Sequence, residues 1–158
     1  MEVLIREAGP DDVPGMLALV KELATFEREP EAVTVTQEEM LRDGFGDRPL
    51  WFGWVAMEGP RLLGMALCYD RYSTWKGRCL YLEDIVVTAA ARGKGVGEAL
   101  FRRCVRHGVE HQYNWMRWQV LDWNTDAIRF YQRFGAEVSA GWLNGDLTAE
   151  QMRNLAAR

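Results

Sequence analysis

The sequence lacks long apolar runs and is poor in histidine. No apolar run approaches the roughly 20 residues that span a bilayer, and the first residues do not show the basic-then-apolar order of a secretory signal. The formal net charge of −4 over 158 residues argues against a nucleic acid partner, which usually meets a basic face. We therefore expect a cytoplasmic protein with neither a membrane nor a nucleic acid as partner.

The few cysteines and histidines exclude two further kinds of site. Cys68, Cys79 and Cys104 all fall in apolar runs and are odd in number, which predicts core thiols in a reducing compartment. His107 and His111 match H-x-x-E-H, a metalloprotease helix signature. Zinc catalysis needs a third protein ligand, and the chain has two histidines. We predict no metal, and expect both histidines near a helix C-terminus.

What the chain does contain is a glycine-rich stretch between an apolar run and a helical pattern. A strand that feeds such a turn leaves backbone N–H groups unpaired at the start of the next helix. With the positive end of the helix dipole, these donors suit a phosphate or pyrophosphate. The residues concerned are Arg92, Gly93, Lys94, Gly95, Val96, Gly97 and Glu98.

Three known phosphate-binding motifs resemble this stretch. A P-loop needs G-x-x-x-x-G-K-[ST], which does not occur. A dinucleotide fingerprint needs glycine where Glu98 stands, and it opens a βαβ unit near the start of its domain. The pattern [RQ]-x-x-G-x-[GA] is met by Arg92, Gly95 and Gly97, and it resembles the acetyl-CoA pyrophosphate loop of the GNAT N-acetyltransferase superfamily. A glycine-rich turn without a ligand is the alternative.

Apolar periodicity, turn residues and capping patterns predict an α+β fold with a mixed sheet, and the length predicts a single domain. The resemblance implies that residues 1–158 are one N-acetyltransferase domain. Antiparallel strands come first and parallel crossovers follow, which is also the element order of the GNAT fold. The predicted strands are Val3–Glu7, Trp51–Met57, Leu62–Tyr69, Leu80–Val87, Met116–Leu121 and Val138–Leu143. The predicted helices begin at Asp11, Thr36, the glycine loop, Asn124 and Thr148.

Two adjacent carboxylates, Glu83 and Asp84, stand in the otherwise apolar fourth strand. Buried carboxylates are costly unless they are paired or used. Because neighbours in a strand point to opposite faces, we expect the two to have different roles. The alternative is that both are structural.

The segment from Asn124 to Gly135 resembles the N-x-x-[AS]-x-x-[FL]-Y-x-x-x-G pattern of GNAT enzymes. The resemblance implies that Asn124 contacts the pantetheine arm and that the Tyr131 hydroxyl lies near the cofactor sulfur. A phenol can protonate the thiolate that leaves when an amine attacks a thioester. We predict Tyr131 as the general acid, with core packing as the alternative role.

Further stretches resemble the diamine (spermidine/spermine) and thialysine acetyltransferase branch, from about Ile5 to Trp142. They are Lys21–Ala24, Arg42–Gly46, Leu80–Asp84 and Trp123–Asn124. The resemblance implies that Glu83 helps to bind and deprotonate the amine, that Glu27 holds a cationic substrate, and that the protein is a homodimer. It also implies substrate contacts at Phe26 and Trp75, and acetyl-CoA contacts at Ile85, Val86, Val87, Asn124 and Ala127 besides the glycine loop.

The chain departs from the polyamine enzymes of this branch at three places. Phe26 replaces an aromatic hydroxyl, Ser73 and Thr74 stand where an acid is expected before Trp75, and residues 138–141 lack acids. We predict direct acetyl transfer from acetyl-CoA to a small cationic amine, since no cysteine has a nucleophile context. The alternatives are a non-catalytic acyl-CoA sensor and an N-acetyltransferase of a non-polyamine substrate.

Overall fold

Local side-chain hydrogen bonds set the starts of several helices. The Thr36 hydroxyl accepts from Glu39 N–H at 3.1 Å, and the Glu39 carboxylate accepts from Thr36 N–H at 2.8 Å. The same reciprocal capping occurs at Thr148. Each side chain satisfies a backbone donor that the first helical turn leaves unpaired. These predicted starts are confirmed.

A computed structural model describes residues 2–158. It contains five helices and five strands within those residues, together with short 3₁₀ turns. The strands are β1 (Leu4–Glu7), β2 (Phe52–Glu58), β3 (Arg61–Ser73), β4 (Gly77–Val87) and β5 (Trp115–Arg117). The helices are α1 (Val13–Phe26), α2 (Gln37–Phe45), α3 (Val96–Glu110), α4 (Thr125–Gln132) and α5 (Ala149–Ala156). In the part of the chain so described, no helix is long and apolar enough to cross a membrane.

The strands form one sheet in the order β1-β2-β3-β4-β5. The first four strands pair antiparallel, while β5 pairs parallel with β4 after the α3 crossover. The predicted mixed sheet of an α+β fold is therefore confirmed.

Both faces of the sheet are covered. On one face, Val55, Met65 and Val86 pack with Met16 of α1 and Met40 of α2 in a single buried cluster. Helix α3 covers the other face, and its buried residues are Val96, Leu100, Phe101 and Cys104. The three cysteines are fully buried and free, as predicted.

Three predicted elements differ from the structure. The strand predicted at Met116–Leu121 is β5, which spans only Trp115–Arg117, because its pairing with β4 ends where Arg117 lies opposite Tyr81. No strand forms at Val138–Leu143, and residues 136–148 have no regular structure. Gly141 has φ +120°, which is not a strand conformation, and among the described residues no strand pairs with this segment. Asp11 is not the cap of α1. Residues Pro10–Asp12 form a 3₁₀ turn, and the Asp12 carboxylate accepts instead from Gly9 N–H and Arg6.

The described chain forms two compact units, one ending at Gln119 and one spanning Val120–Arg158. The first contains the sheet with α1, α2 and α3. The second contains α4, the irregular residues 136–148 and α5. One N-acetyltransferase domain over 1–158 stays a prediction.

Candidate active site

The glycine loop joins β4 to α3 in a conformation that its glycines permit. Gly93 has φ +74° and Gly95 has φ +79°, a left-handed region that residues with a Cβ rarely adopt. Val96 is buried and anchors the start of α3, whereas residues 92–95 are exposed. The first bond of the helical ladder runs from Ala99 N–H to Gly95 O at 3.0 Å. The N–H groups ahead of Ala99 thus precede the ladder, as an anion site requires.

Two cationic side chains around this loop, those of Arg92 and Arg102, have protein partners. Arg92 Nε donates to Val87 O at 3.0 Å, and Arg92 Nη2 lies 3.6 Å from Glu22 Oε1. Arg102 pairs with Glu98 one turn away at 2.8 Å. Arg92 therefore braces the loop as well as adding charge to it.

One edge of β4 is open beside the loop. β5 pairs with β4 only at Cys79, Leu80 and Tyr81. Beyond Tyr81 no described strand pairs with the β4 edge that faces away from β3. The predicted cofactor residues Ile85, Val86 and Val87 lie in this stretch. Alternate residues of a strand direct their backbone groups to opposite edges, and the Val87 carbonyl already accepts a hydrogen bond from Arg92. Their contacts with the pantetheine arm stay a prediction.

A β-bulge interrupts β4 at Glu83. Leu67 pairs with Asp84 and Cys68 pairs with Leu82, so Glu83 has no partner in the β3 register. A bulge re-aims a side chain and often lies beside a functional site. Glu83 is exposed, and it lies near the Tyr69 phenol, whose pKa its charge helps to raise. The different environments expected for Glu83 and Asp84 arise from this bulge as well as from strand alternation.

Asp84 has the most perturbed carboxyl group of the region. Burial first, and then the charges of the nearby Glu83 and Glu27 carboxylates, together raise the pKa of Asp84 to about 6. Burial also raises the pKa of Glu27. The carboxylates of Glu27, Glu83 and Asp84 therefore form an acidic cluster at the bulge, which we call the acid cluster.

The end of α1 presents Phe26 and Glu27 to this region. Glu27 N–H donates to Leu23 O at 2.8 Å, and Arg28 then turns to φ 67°, which ends the helix. The Phe26 ring is 45% exposed and lies under the Arg92 guanidinium, 5.7 Å from its carbon. The structure thus brings Glu27 to the acid cluster and Phe26 to the loop.

Trp75 is not brought to the acid cluster within this chain. It lies in the turn between β3 and β4 and is 86% exposed. The register pairs Ser73 with Gly77, six positions before Glu83, which corresponds to about 20 Å along the strand. A substrate contact at Trp75 stays a prediction.

The remaining predicted site residues lie in the second unit. Asn124 caps α4 by accepting a hydrogen bond from Ala127 N–H at 3.2 Å, so these two groups are engaged with each other. An Asn124 contact with the pantetheine arm stays a prediction. Tyr131 is buried at 6% exposure, and its ring meets the Phe130 ring edge-on at 5.3 Å. Its role as the acid stays a prediction.

The two histidines pack as an aromatic pair. Their rings stack with centroids 4.0 Å apart, and His107 also meets the ring of Trp54. Among the residues that the structure describes, no three potential metal ligands cluster. His107 lines a cavity of about 220 Å³ with Trp51 and Phe45, and no predicted site residue is among its lining residues.

Sequence reasoning missed two participants and left a third without a specific role. Tyr69 reaches Glu83 because the strand register pairs it with Tyr81, two positions before Glu83. Glu22 stands in a matched stretch, but its contacts with residues 88–92 lie more than 60 positions away. Asp84 was noticed, although only its burial beside other carboxylates marks it as titratable near pH 6. No local pattern identifies these relationships.

Comparison with known proteins agrees with this geometry. The model of the Acetyltransferase (GNAT) family matches residues 16–136. Thialysine N-epsilon-acetyltransferase of Bos taurus is 36% identical over 167 residues, covering 99% of this chain and 98% of that protein. Spermidine/spermine N(1)-acetyltransferase-like protein 1 of Homo sapiens is 36% identical over 96% of this chain and 23% of its own length.

A comparison with solved structures agrees with the architecture described above. An integron cassette protein from the mobile metagenome of V. cholerae superposes with a TM-score of 0.78 at 20% identity, covering 100% of this chain and 99% of the other. The chain belongs to the GNAT acetyltransferase family and is an N-acetyltransferase. The resemblance seen in the sequence is confirmed.

Proposed function

We propose that the protein transfers the acetyl group of acetyl-CoA directly to a small cationic amine, namely a diamine, a polyamine or a lysine-like amino acid. The acid cluster carries this proposal. The Glu83 and Glu27 carboxylates raise the pKa of the partly buried Asp84, and an ammonium group docked among the three would relieve this repulsion. The names of the mammalian relatives specify thialysine and spermidine/spermine, all amines charged at neutral pH, which supports the assignment.

The chemistry divides between two residues. Glu83, beside Tyr69, removes the proton of the attacking ammonium through a water molecule, while Glu27 and Asp84 hold a second, still-charged nitrogen. The amine nitrogen attacks the acetyl carbonyl carbon, and the carbon–sulfur bond breaks. The Tyr131 hydroxyl gives its proton to the departing thiolate. No cysteine is needed, and all three are buried.

Acetyl-CoA fits two features of the first unit. The N–H groups of residues 93–98 would hold the pyrophosphate, because they precede the helical ladder at the positive end of α3. The open edge of β4 at Ile85, Val86 and Val87 would receive the pantetheine amides. The cofactor supplies the activated acetyl group, and these residues orient it.

Short amines are favoured over long ones. Phe26 offers no hydroxyl, and Ser73 and Thr74 supply no charge beside Trp75. A long tetra-amine would lack an anionic partner there. We also propose a homodimer, following the branch that the sequence resembles. Light scattering at micromolar protein should then give about twice the 18.1 kDa chain mass, and the chain mass alone would contradict it.

The test is thiol release from acetyl-CoA with putrescine, spermidine, spermine, lysine and thialysine in competition. We expect acetylation of short diamines or lysine-like molecules in preference to spermine. If a neutral amine is acetylated and none of these five amines is, the proposal of a cation-binding pocket is wrong. Binding of acetyl-CoA without thiol release by any amine would identify an acyl-CoA sensor instead.

A further inference from the structure

A carboxylate on α1 holds the turn that precedes the glycine loop. Glu22 Oε1 accepts a hydrogen bond from Ala89 N–H at 3.0 Å, and Glu22 Oε2 accepts from the Thr88 hydroxyl at 3.3 Å. Arg92 Nη2 lies 3.6 Å from Glu22 Oε1. One side chain therefore contacts both ends of the 88–92 turn.

Arg92 makes two further contacts, one with the end of β4 and one with α1. Its Nε donates to Val87 O at 3.0 Å, and its guanidinium lies over the Phe26 ring of the same α1 helix. Residues 87–92 are thus held to α1 by one ion pair, two hydrogen bonds to Glu22 and one ring contact. Glu22 is partly buried, with its side chain 36% exposed, so solvent screens these contacts only in part.

We propose that Glu22 is a positioning residue for the cofactor loop, an inference that rests on the proposed use of acetyl-CoA. The 88–92 turn leads directly into residues 93–98, whose N–H groups must converge on the pyrophosphate. Donors fixed before binding cost no ordering when the anion arrives. Glu22 supplies this order from outside the loop, without touching the cofactor.

If Glu22 has this role, its loss should weaken the binding of acetyl-CoA and leave the acetyl transfer step unchanged. Loss of charge-assisted hydrogen bonds and of the Arg92 partner loosens the loop. A thioester that lacks the pyrophosphate does not bind that loop, so its KM should not depend on Glu22. S-acetylpantetheine is such a molecule, because it retains the acetyl group and the pantetheine arm only.

The experiment compares Glu22→Gln and Glu22→Ala with the parent enzyme. We expect the dissociation constant of acetyl-CoA, measured by calorimetry, to rise about five- to thirtyfold, and more for Ala than for Gln. The KM for S-acetylpantetheine and kcat at saturating acetyl-CoA should stay within twofold. Glu58→Gln is the matched control, because Glu58 also lies 3.6 Å from an arginine, Arg61, in the β2–β3 turn.

Two results would overturn the proposal. One is acetyl-CoA affinity within twofold of the parent in Glu22→Gln. The other is an equal loss with both thioesters, which would indicate a general effect on the fold. The near-isosteric Gln variant keeps the test open if the Ala variant does not fold. Failure of the parent to bind acetyl-CoA would instead sink the proposed function, and it is visible before any variant is made.

Discussion

The Tyr69 phenol on β3 lies beside Glu83 at the bulge of β4, close enough for the Glu83 charge to act on it. Burial, then the Glu83 charge, raise the pKa of Tyr69 to about 12, so the phenol keeps its proton across the neutral range. A protonated phenol on the adjacent strand therefore stands next to the predicted base.

Removing this hydroxyl should slow the reaction without weakening cofactor binding. In Tyr69→Phe, Glu83 loses the neutral phenol beside it, and we expect kcat to fall about tenfold. The ring contact with Tyr81 remains, so stability should change little. Steady-state kinetics with acetyl-CoA titration provides the measurement. Tyr72→Phe, at an exposed position, is the control and should match the parent.

Tyr131→Phe should lower turnover much more than Tyr69→Phe does. Loss of a general acid typically costs about 10²–10⁴-fold in rate, and the phenyl ring preserves the packing of the buried side chain. Acetyl-CoA affinity should stay within about twofold. A turnover within twofold of the parent would show that Tyr131 serves only packing.

Asp84→Asn should make the folded protein more stable at neutral pH. The folded pKa of about 6 exceeds the reference value of 3.8, so the folded state binds this proton more tightly than the unfolded state. The contribution of Asp84 to stability therefore falls as pH rises from about 4 to about 6, by up to about 3 kcal/mol. Urea unfolding at pH 7.5 and pH 5 should show a larger gain at the higher pH. The exposed control Asp122→Asn should show no such dependence.

Glu27→Gln should raise the KM for the preferred amine severalfold. Glu27 belongs to the acid cluster and is partly buried, so it anchors an ammonium group better than an exposed acid does. Acetyl-CoA affinity should not change. Glu31→Gln removes an exposed carboxylate just beyond α1 and should leave the amine KM alone. If the amine KM is the same in Glu27→Gln and Glu31→Gln, Glu27 does not contact the substrate.

Gly95→Val should sharply weaken acetyl-CoA binding, by tenfold or more. No atom lies within 4 Å of a Cβ built at Gly95, so the side chain would project into the space assigned to the pyrophosphate. Gly59→Val is matched, since Gly59 also has positive φ and open space around its Cβ. Both substitutions strain the backbone similarly. Equal acetyl-CoA affinity in the two folded variants would contradict the loop assignment.

Relationships over a few residues could be predicted from the sequence. The caps at Thr36, Asn124 and Thr148 each join residues three positions apart. The sequence pattern over those positions is therefore enough to predict the hydrogen bond. The left-handed turn at Gly95 likewise follows from the absence of a Cβ. The order of strands and helices, and with it the fold, followed from apolar periodicity between such signals.

Relationships between distant segments were decided by the tertiary structure. The bulge at Glu83 depends on the register of β4 against β3, and a strand's own sequence does not specify the residue at which its partner slips. The predicted strand at Val138–Leu143 is absent because a strand needs a neighbour for its backbone groups. Glu22 meets Ala89 across 67 positions, and the shifted pKa of Asp84 arises from burial beside two other carboxylates. The sequence determined the elements and the chemical groups available, while packing determined which groups meet, because electrostatic and hydrogen-bond energies depend on distances that only the folded chain sets.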